Sequence, residues 1–307
     1  MTTKFNEFFI QYRGIIYASI TALFWGVLAI ALKVTLQFMP TVNIVWFRFT
    51  VAFLSLFIYF LFKAPEKLVI FKKPPFLAIL AAFGLSFNFI AFTVGLNLTN
   101  PNTAQIVIQI GPILLGIIGF VVYKERVNRV QIFGFGVAFV GLALFYLNQL
   151  EGMIQAKADV FNQGFFWIFG AAIGWVLYAA LQKHLVKSFD PQILNLLIYA
   201  VPALLLFPFA DLSLFANLTI GQWSLLIFLA INTIVAYGFL VVAFKYTQVN
   251  KVSVIISLNP IITFFVMALL FYMDVSWIET SLMGLKTFIG ALLIIVGAIV
   301  IIHFRKN

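Results

Sequence analysis

Two cations, Lys33 and Arg48, interrupt long apolar stretches of this 307-residue chain. In hydrocarbon a charged side chain costs about 2.5–3.5 kcal/mol on insertion scales, so each needs a reason to be there. A guanidinium grips a carboxylate through two parallel hydrogen bonds. Arg48 is therefore a candidate partner for an anionic group on a small solute. The alternatives are a bond to helix-end carbonyls or a reach to the water interface. Lys33 stands close to the end of its apolar run, where snorkelling accounts for it.

Neutral polar residues recur at similar depth. Gln105 and Gln109 are four apart and share a helix face, as do Ser253 and Ser257. Asn88, Asn195, Tyr199, Asn232 and Asn259 also fall inside apolar runs. In lipid such groups must find partners, so they should face inward. Each alone is explained as helix glue; the set is better explained by a polar cavity. Trp25, Trp175, Tyr178 and Tyr237 offer aromatic walls. The candidate solute-binding set is therefore Trp25, Arg48, Asn88, Gln105, Gln109, Trp175, Tyr178, Asn195, Tyr199, Asn232, Ser257 and Asn259. Pro112 and Pro260 should kink their helices, each freeing the carbonyl four residues earlier, at Ile108 and Ile256. Glu125, beside Lys124 and Arg126, reads as a latch or as a surface ion pair. Gly134, Gly141, Gly290 and Gly297 permit close helix approach, within the bundle or in a homodimer.

Other chemistries lack their residues. There is no Gly-rich phosphate loop and no cysteine, and His184 and His303 make no metal pattern, so no cofactor is expected. No Asp or Glu lies in mid-run to form a proton relay. A lipid-acting enzyme would need clustered acids, histidines or metal ligands. A scaffold or receptor would usually carry a longer soluble segment.

These side chains must be positioned by membrane helices. The chain is 64% hydrophobic and only 9% charged, against roughly a quarter charged in soluble domains. Apolar runs predict spans at 14–36, 42–62, 76–98, 102–123, 130–148, 164–185, 191–210, 223–246, 250–273 and 285–303. Each is long enough for a hydrocarbon layer of about 30 Å. The first run is too long for a cleaved signal peptide. Stretches such as Ile289 to Ile302 lack the alternation of a membrane barrel. Met39-Pro40, Lys73-Pro74-Pro75, Asn100-Pro101 and Asp190-Pro191 supply the turns. With the N-terminus in the cytoplasm, Lys4, Arg13, Lys63, Lys67, Lys72, Lys73, Lys124, Arg126, Arg129, Lys183, Lys187, Lys245, Lys251, Arg305 and Lys306 fall on the cytoplasmic side. Only Lys157 and Lys286 fall outside, a strong positive-inside bias that puts both termini in the cytoplasm.

The chain also repeats itself. Trp25 and Lys33 match Trp175 and Lys183 at an offset of 150. Asn102, Gln105, Gln109 and Pro112 match Asn250, Ser253, Ser257 and Pro260 at 148. Gly134 and Gly141 match Gly290 and Gly297. This divides the chain into two five-helix units, 1–150 and 160–307. An odd helix number inverts the second unit, an arrangement that places a solute site near the midplane between them.

On these residues the sequence resembles the EamA-type transporters of the drug/metabolite transporter superfamily. The likeness runs through Phe24-Trp25-Gly26, Trp46-Phe47-Arg48-Phe49, the Pro112 helix closing in Lys124-Glu125-Arg126, and Gln131 with Gly134 and Gly141. A weaker copy follows in Gly174-Trp175, Asn259-Pro260 and Gly290 with Gly297. It implies an all-α protein of ten membrane helices, carrying amino acids or other metabolites, often outward, and together with the short loops it implies a bacterial inner membrane. One departure stands out. The family usually closes its ninth helix with a glycine-glutamate pair, and here Met273-Asp274 stands there, with a longer stretch through Glu279.

Overall fold

The computed structural model describes residues 2–125, 128–153, 158–278 and 285–303. Arg126, Lys157, Glu279, Arg305 and Lys306 lie outside the described residues. Among those described, all regular structure is helical. The α-helices are α1 (Thr2–Thr35), α2 (Thr41–Lys63), α3 (Phe76–Leu98), α4 (Pro101–Val107), α5 (Ile110–Val121) and α6 (Arg129–Met153). They continue as α7 (Ala158–Leu185), α8 (Pro191–Leu206), α9 (Ile220–Tyr246), α10 (Val249–Ile256), α11 (Asn259–Tyr272) and α12 (Leu285–His303). Among the described residues eight stretches are long and apolar enough to cross a membrane, with α4–α5 and α10–α11 each counting as one. Within α6 and α12 the apolar pieces are shorter, Arg129–Gly141 and Phe288–Gly297.

Helix starts follow the turn chemistry. Asp190 accepts from the N–H groups of Gln192 and Ile193, with Pro191 at the first helical position of α8. Thr219 and Gln222 form a reciprocal capping box at α9.

The runs expected as continuous helices at 102–123 and 250–273 are each broken in two. Helical geometry lapses at Ile108–Gln109 and at Ser257–Leu258, before Pro112 and Pro260. Proline has no N–H to donate, and its ring collides with the carbonyl one turn earlier. The chain answers by tightening. Gly111 N–H bonds the Ile108 carbonyl at 2.9 Å, and Leu258 N–H bonds the Ile255 carbonyl at 3.1 Å. The Ile108 carbonyl is therefore not left free, contrary to the sequence expectation.

Packing is pairwise. α3 lies on α7, α1 on α9, α6 on α12, α2 on α8 and α5 on α10. A Cβ added to Gly141 would stand 2.7 Å from the Gly290 carbonyl, and one on Gly297 2.6 Å from that of Gly134. These four glycines are thus used against one another inside the chain. One end of the bundle gathers the starts of α1, α8 and α10 with the ends of α5, α7 and α9, and holds Arg13, Lys67, Lys124, Lys183 and Lys187. There Arg13 lies over the Tyr246 ring and Lys187 over Tyr123. We call this the basic end. At the opposite end Asn43 Nδ2 donates to the Asp211 carbonyl at 2.6 Å. Trp46, Phe47, Phe215 and Trp223 pack beneath that link.

Candidate functional site

Between the helix pairs, at mid-bundle depth, lies a cavity of about 70 Å³. That is room for roughly five water molecules. α1 contributes Trp25 and Leu28, α2 Arg48, and α3 Asn88, Phe89, Phe92 and Thr93. Gln105, Ile108, Gln109 and Pro112 come from the broken α4–α5 span, Trp175 from α7 and Tyr237 from α9. Ile256 and Asn259 flank the second break. Both proline breaks therefore abut the cavity, the first through Gln105 and Gln109 and the second through Asn259.

Arg48 is seven residues into α2, about 10 Å along the axis, and is 2% exposed. Its Nε donates to Thr233 Oγ1 at 2.9 Å, and its guanidinium carbon sits 4.4 Å above the Phe89 ring. Its Nη2 is buried without a hydrogen-bond partner. Among the described residues no carboxylate lies within ion-pair distance of Arg48, and the Lys67–Asp190 pair is exposed and elsewhere. Around it other polar atoms are also buried and unpartnered: Trp25 Nε1, Trp175 Nε1, Asn259 Oδ1 and both ends of the Gln109 amide. Buried polar groups are normally satisfied, and here several unsatisfied ones converge on one hollow. The aromatic wall is continuous: Trp25 meets Trp175 edge-on at 5.8 Å and Tyr237 at 5.1 Å, and Tyr237 meets Phe89 at 5.3 Å.

Other candidates are held in place by helix-to-helix bonds. Gln105 Nε2 donates to the Trp25 carbonyl at 3.1 Å and Asn88 Nδ2 to that of Ala171 at 2.8 Å, so both line the cavity while bridging helices. Tyr178, Asn195, Tyr199, Asn232 and Ser257 do not line it. Asn195 bridges the Tyr237 carbonyl and Gln182. Asn232 donates to the Phe24 carbonyl at 2.6 Å. Tyr178 and Tyr199 stand one layer behind the wall, against Tyr237 and Phe49. Ser257 donates to the Ser253 carbonyl and faces a separate groove. Depth put Asn195, Tyr199 and Asn232 with the rest, aromatic character Tyr178, and the repeat Ser257, and none of these says which way a helix is turned. Thr233 and Thr93 were missed: a lone threonine in an apolar run reads as a self-bonded helix residue, and Thr233 meets Arg48 across 185 residues of sequence.

Lys33 and Glu125 each bond the end of another helix. The Lys33 ammonium, at the end of its own span, donates to the carbonyls of Leu96, Asn97 and Thr99 at 3.0, 3.0 and 2.6 Å, capping the end of α3, where the helix dipole is negative. Lys183 does the same at the end of α9, on Phe244 and Thr247. The two oxygens of Glu125 accept from the N–H groups of Val249 and Asn250, at 2.7 and 3.1 Å, and so cap α10, linking two spans; a pair with Arg126 falls outside the described residues. Beside it the Tyr123 hydroxyl donates to the Ala180 carbonyl at 2.5 Å. Burial, and then the Glu125 charge, push that phenol up to about 12, which keeps it a donor.

Known proteins share this architecture. The model of the EamA-like transporter family matches residues 12–147 and again 162–303. An uncharacterized inner membrane transporter of Escherichia coli strain K12, YhbE, is 34% identical over 289 residues, covering 93% of this chain and 89% of that protein. An uncharacterized transporter of Haemophilus influenzae is 31% identical over 288 residues, covering 93% of each. A probable amino-acid metabolite efflux pump of E. coli is 25% identical over 300 residues, covering 92% of each. A solved crystal structure, 17% identical, superposes with a TM-score of 0.73 over 97% of this chain and 100% of its own, which is a likeness of fold. With the family model matched over most of its length and two relatives above 30% identity, this multi-pass membrane chain belongs to the EamA-like transporter family.

Proposed function

We propose that the protein is a secondary transporter that carries a small organic solute with an anionic group, an amino acid or amphipathic metabolite, outward by alternating access. The observation that carries this reading is Arg48: a buried guanidinium with one nitrogen unpartnered, beside a cavity at mid-bundle depth. A solute carboxylate would satisfy Nη2, while the Gln109 amide and the two indole N–H groups hold its remaining polar atoms. At about 70 Å³ the cavity is too small for an amino acid as it stands, so the helix pairs must part to admit one.

In this reading ten spans form two inverted five-helix units, 1–150 and 160–307, with both termini in the cytoplasm and the basic end facing it. Several observations support it. The family model matches twice. Lys33 caps α3 as Lys183 caps α9. Both broken spans interrupt next to the cavity. A transporter named for amino-acid metabolite efflux among the relatives favours the substrate class and direction.

The test is counterflow in proteoliposomes loaded with single amino acids. Wild-type protein should exchange at least one of them saturably. Arg48→Gln should cut that exchange at least tenfold, and Gln109→Leu should lower it without abolishing it. Vesicles that exchange amino acids and common metabolites no faster than protein-free ones would end this reading.

A further inference from the structure

A second hollow, of about 450 Å³, lies outside the central cavity among α5, α6, α10 and α12. Pro112 lines both hollows, and the second broken span also borders both, with Ile256 and Asn259 on the cavity and Ser253 and Ser257 on the groove. The lining is apolar. Ser253 and Ser257, on the α10 side, donate to carbonyls of their own helix and offer the groove no free hydroxyl hydrogen. The rim is exposed, with Ile117, Ile132 and Phe139 standing out of it.

Its floor is made by two unusual glycines. On these same helices Gly141 and Gly297 are in tight contact, with no room for a Cβ. A Cβ on Gly136 would meet nothing within 4 Å, and one on Gly116 only Ser253, at 3.9 Å. No neighbouring helix requires these two to be glycine; what their lack of a side chain does is widen the groove. From Pro112 to Phe120 the groove follows α5 for about 12 Å, close to one leaflet's share of a hydrocarbon layer of about 30 Å. One turn beyond its end stand exposed Lys124 and, at the start of α6, Arg129. An apolar slot of leaflet length with two cations at its mouth fits one ligand chemistry.

We propose that this groove is a binding site for an acyl chain of an anionic phospholipid from the leaflet at the basic end, with the headgroup held by Lys124 and Arg129. The chain fills the space between the α6–α12 pair and the α5–α10 pair. The site does not depend on what solute the central cavity takes.

Native mass spectrometry tests it on the full chain released from nanodiscs of mixed phosphatidylglycerol and phosphatidylcholine. Wild type should retain one phosphatidylglycerol per chain in preference to phosphatidylcholine. Gly136→Leu, whose side chain enters open space, should lower that retention at least fivefold at unchanged thermal stability, and Gly116→Ile on the facing wall should do the same. Lys124→Gln with Arg129→Gln should leave one lipid bound but erase the headgroup preference. The proposal is overturned if wild type retains no lipid above the annular background. It is equally overturned if both filled-groove variants keep as much as wild type, or if an alkyl-chain solute binds there and lipid does not.

Discussion

The antiparallel pairs α3–α7 and α1–α9 carry matching positions of the sequence repeat and are held together by different means. In α3–α7, Gly84 lies against Gly174, and a Cβ on either would stand 2.9 or 2.8 Å from the other's carbonyl oxygen. Shifted by 148 and 150 residues, the same two places in α1–α9 hold Asn232 and Phe24. There Asn232 Nδ2 spans the gap to the Phe24 carbonyl at 2.6 Å. One level further along, Asn88 reaches the Ala171 carbonyl, and in the partner pair Thr21 reaches that of Ala236, the donor having moved to the other helix. Lipid supplies no hydrophobic drive between helices, so association rests on close backbone contact or on side-chain bonds. A phenylalanine at the crossing rules out the first, and an amide supplies the second.

The sharpest way to break the comparison is to deny α3–α7 its close approach. Gly84→Leu drives a side chain into the Gly174 backbone, which cannot rotate away, and Leu177 and Tyr178 stand behind it. Overpacking of this kind costs about 3 kcal/mol. We expect the thermal unfolding midpoint in detergent to collapse or folded protein to be lost. A midpoint within a degree of wild type would show that the glycine contact is not what holds this pair.

The helix ends differ as well. At the basic end α10 is capped by Glu125, a residue from another span, and Gly119 leaves room for the carboxylate, since a Cβ there would lie 3.0 Å from Oε2. At the opposite end α4 is capped by its own Asn100, which accepts from Thr103 N–H at 2.9 Å. Glu125→Ala should therefore cost about 2 kcal/mol, the upper range for a cap, because two charge-assisted bonds and a link between spans go together. Asn100→Ala should cost about half that. Equal shifts in unfolding midpoint for the two would remove the asymmetry. The lysine caps come next in size. Lys33 reaches three carbonyls and Lys183 two. Each replaced by Met should lose about 1 kcal/mol, Lys33 the more. A larger loss at Lys183 would say that its neighbourhood of charges, not the count of bonds, sets the value.

Much of this was legible from residue types, and the exceptions have a common cause. Eight of the ten expected spans, the turns and the pairing of Lys33 with Lys183 follow from hydropathy, proline and the repeat. The partner of a long side chain does not: Lys33 finds the end of α3, 63 residues away, and Glu125 the start of α10, 124 away. The departure at Met273-Asp274 shows the same limit. Asp274 takes φ 52, as Lys124 takes φ 51. By conformation Asp274 therefore matches Lys124, and Val275 stands where Glu125 stands in the first span. Val275 offers no carboxylate to cap α4, and Asn100 caps it instead. Rotation about the helix axis is the other gap: Gln109 and Ser257 match in the repeat, yet one faces the cavity and the other the apolar groove.

The smallest expected effect is at the amide bridge itself. Asn232→Leu removes the bond to Phe24 but leaves that carbonyl inside an intact helix, so no buried acceptor is orphaned. Interhelical hydrogen bonds in membrane proteins are worth about 0.6 kcal/mol on average, because the separated helices find other partners in the bilayer. A leucine of similar size also keeps some contact with Phe24. The loss should therefore be about a fifth of that at Gly84→Leu, read from unfolding in mixed detergent micelles. The comparison is tested more sharply by Asn232→Gly, which copies the α3–α7 solution onto one side only. Phe24 still blocks close approach, so the variant should be less stable than Asn232→Leu. If instead it were more stable than wild type, α1 and α9 would have closed up around the missing side chain, and the amide would be a spacer and not a bond.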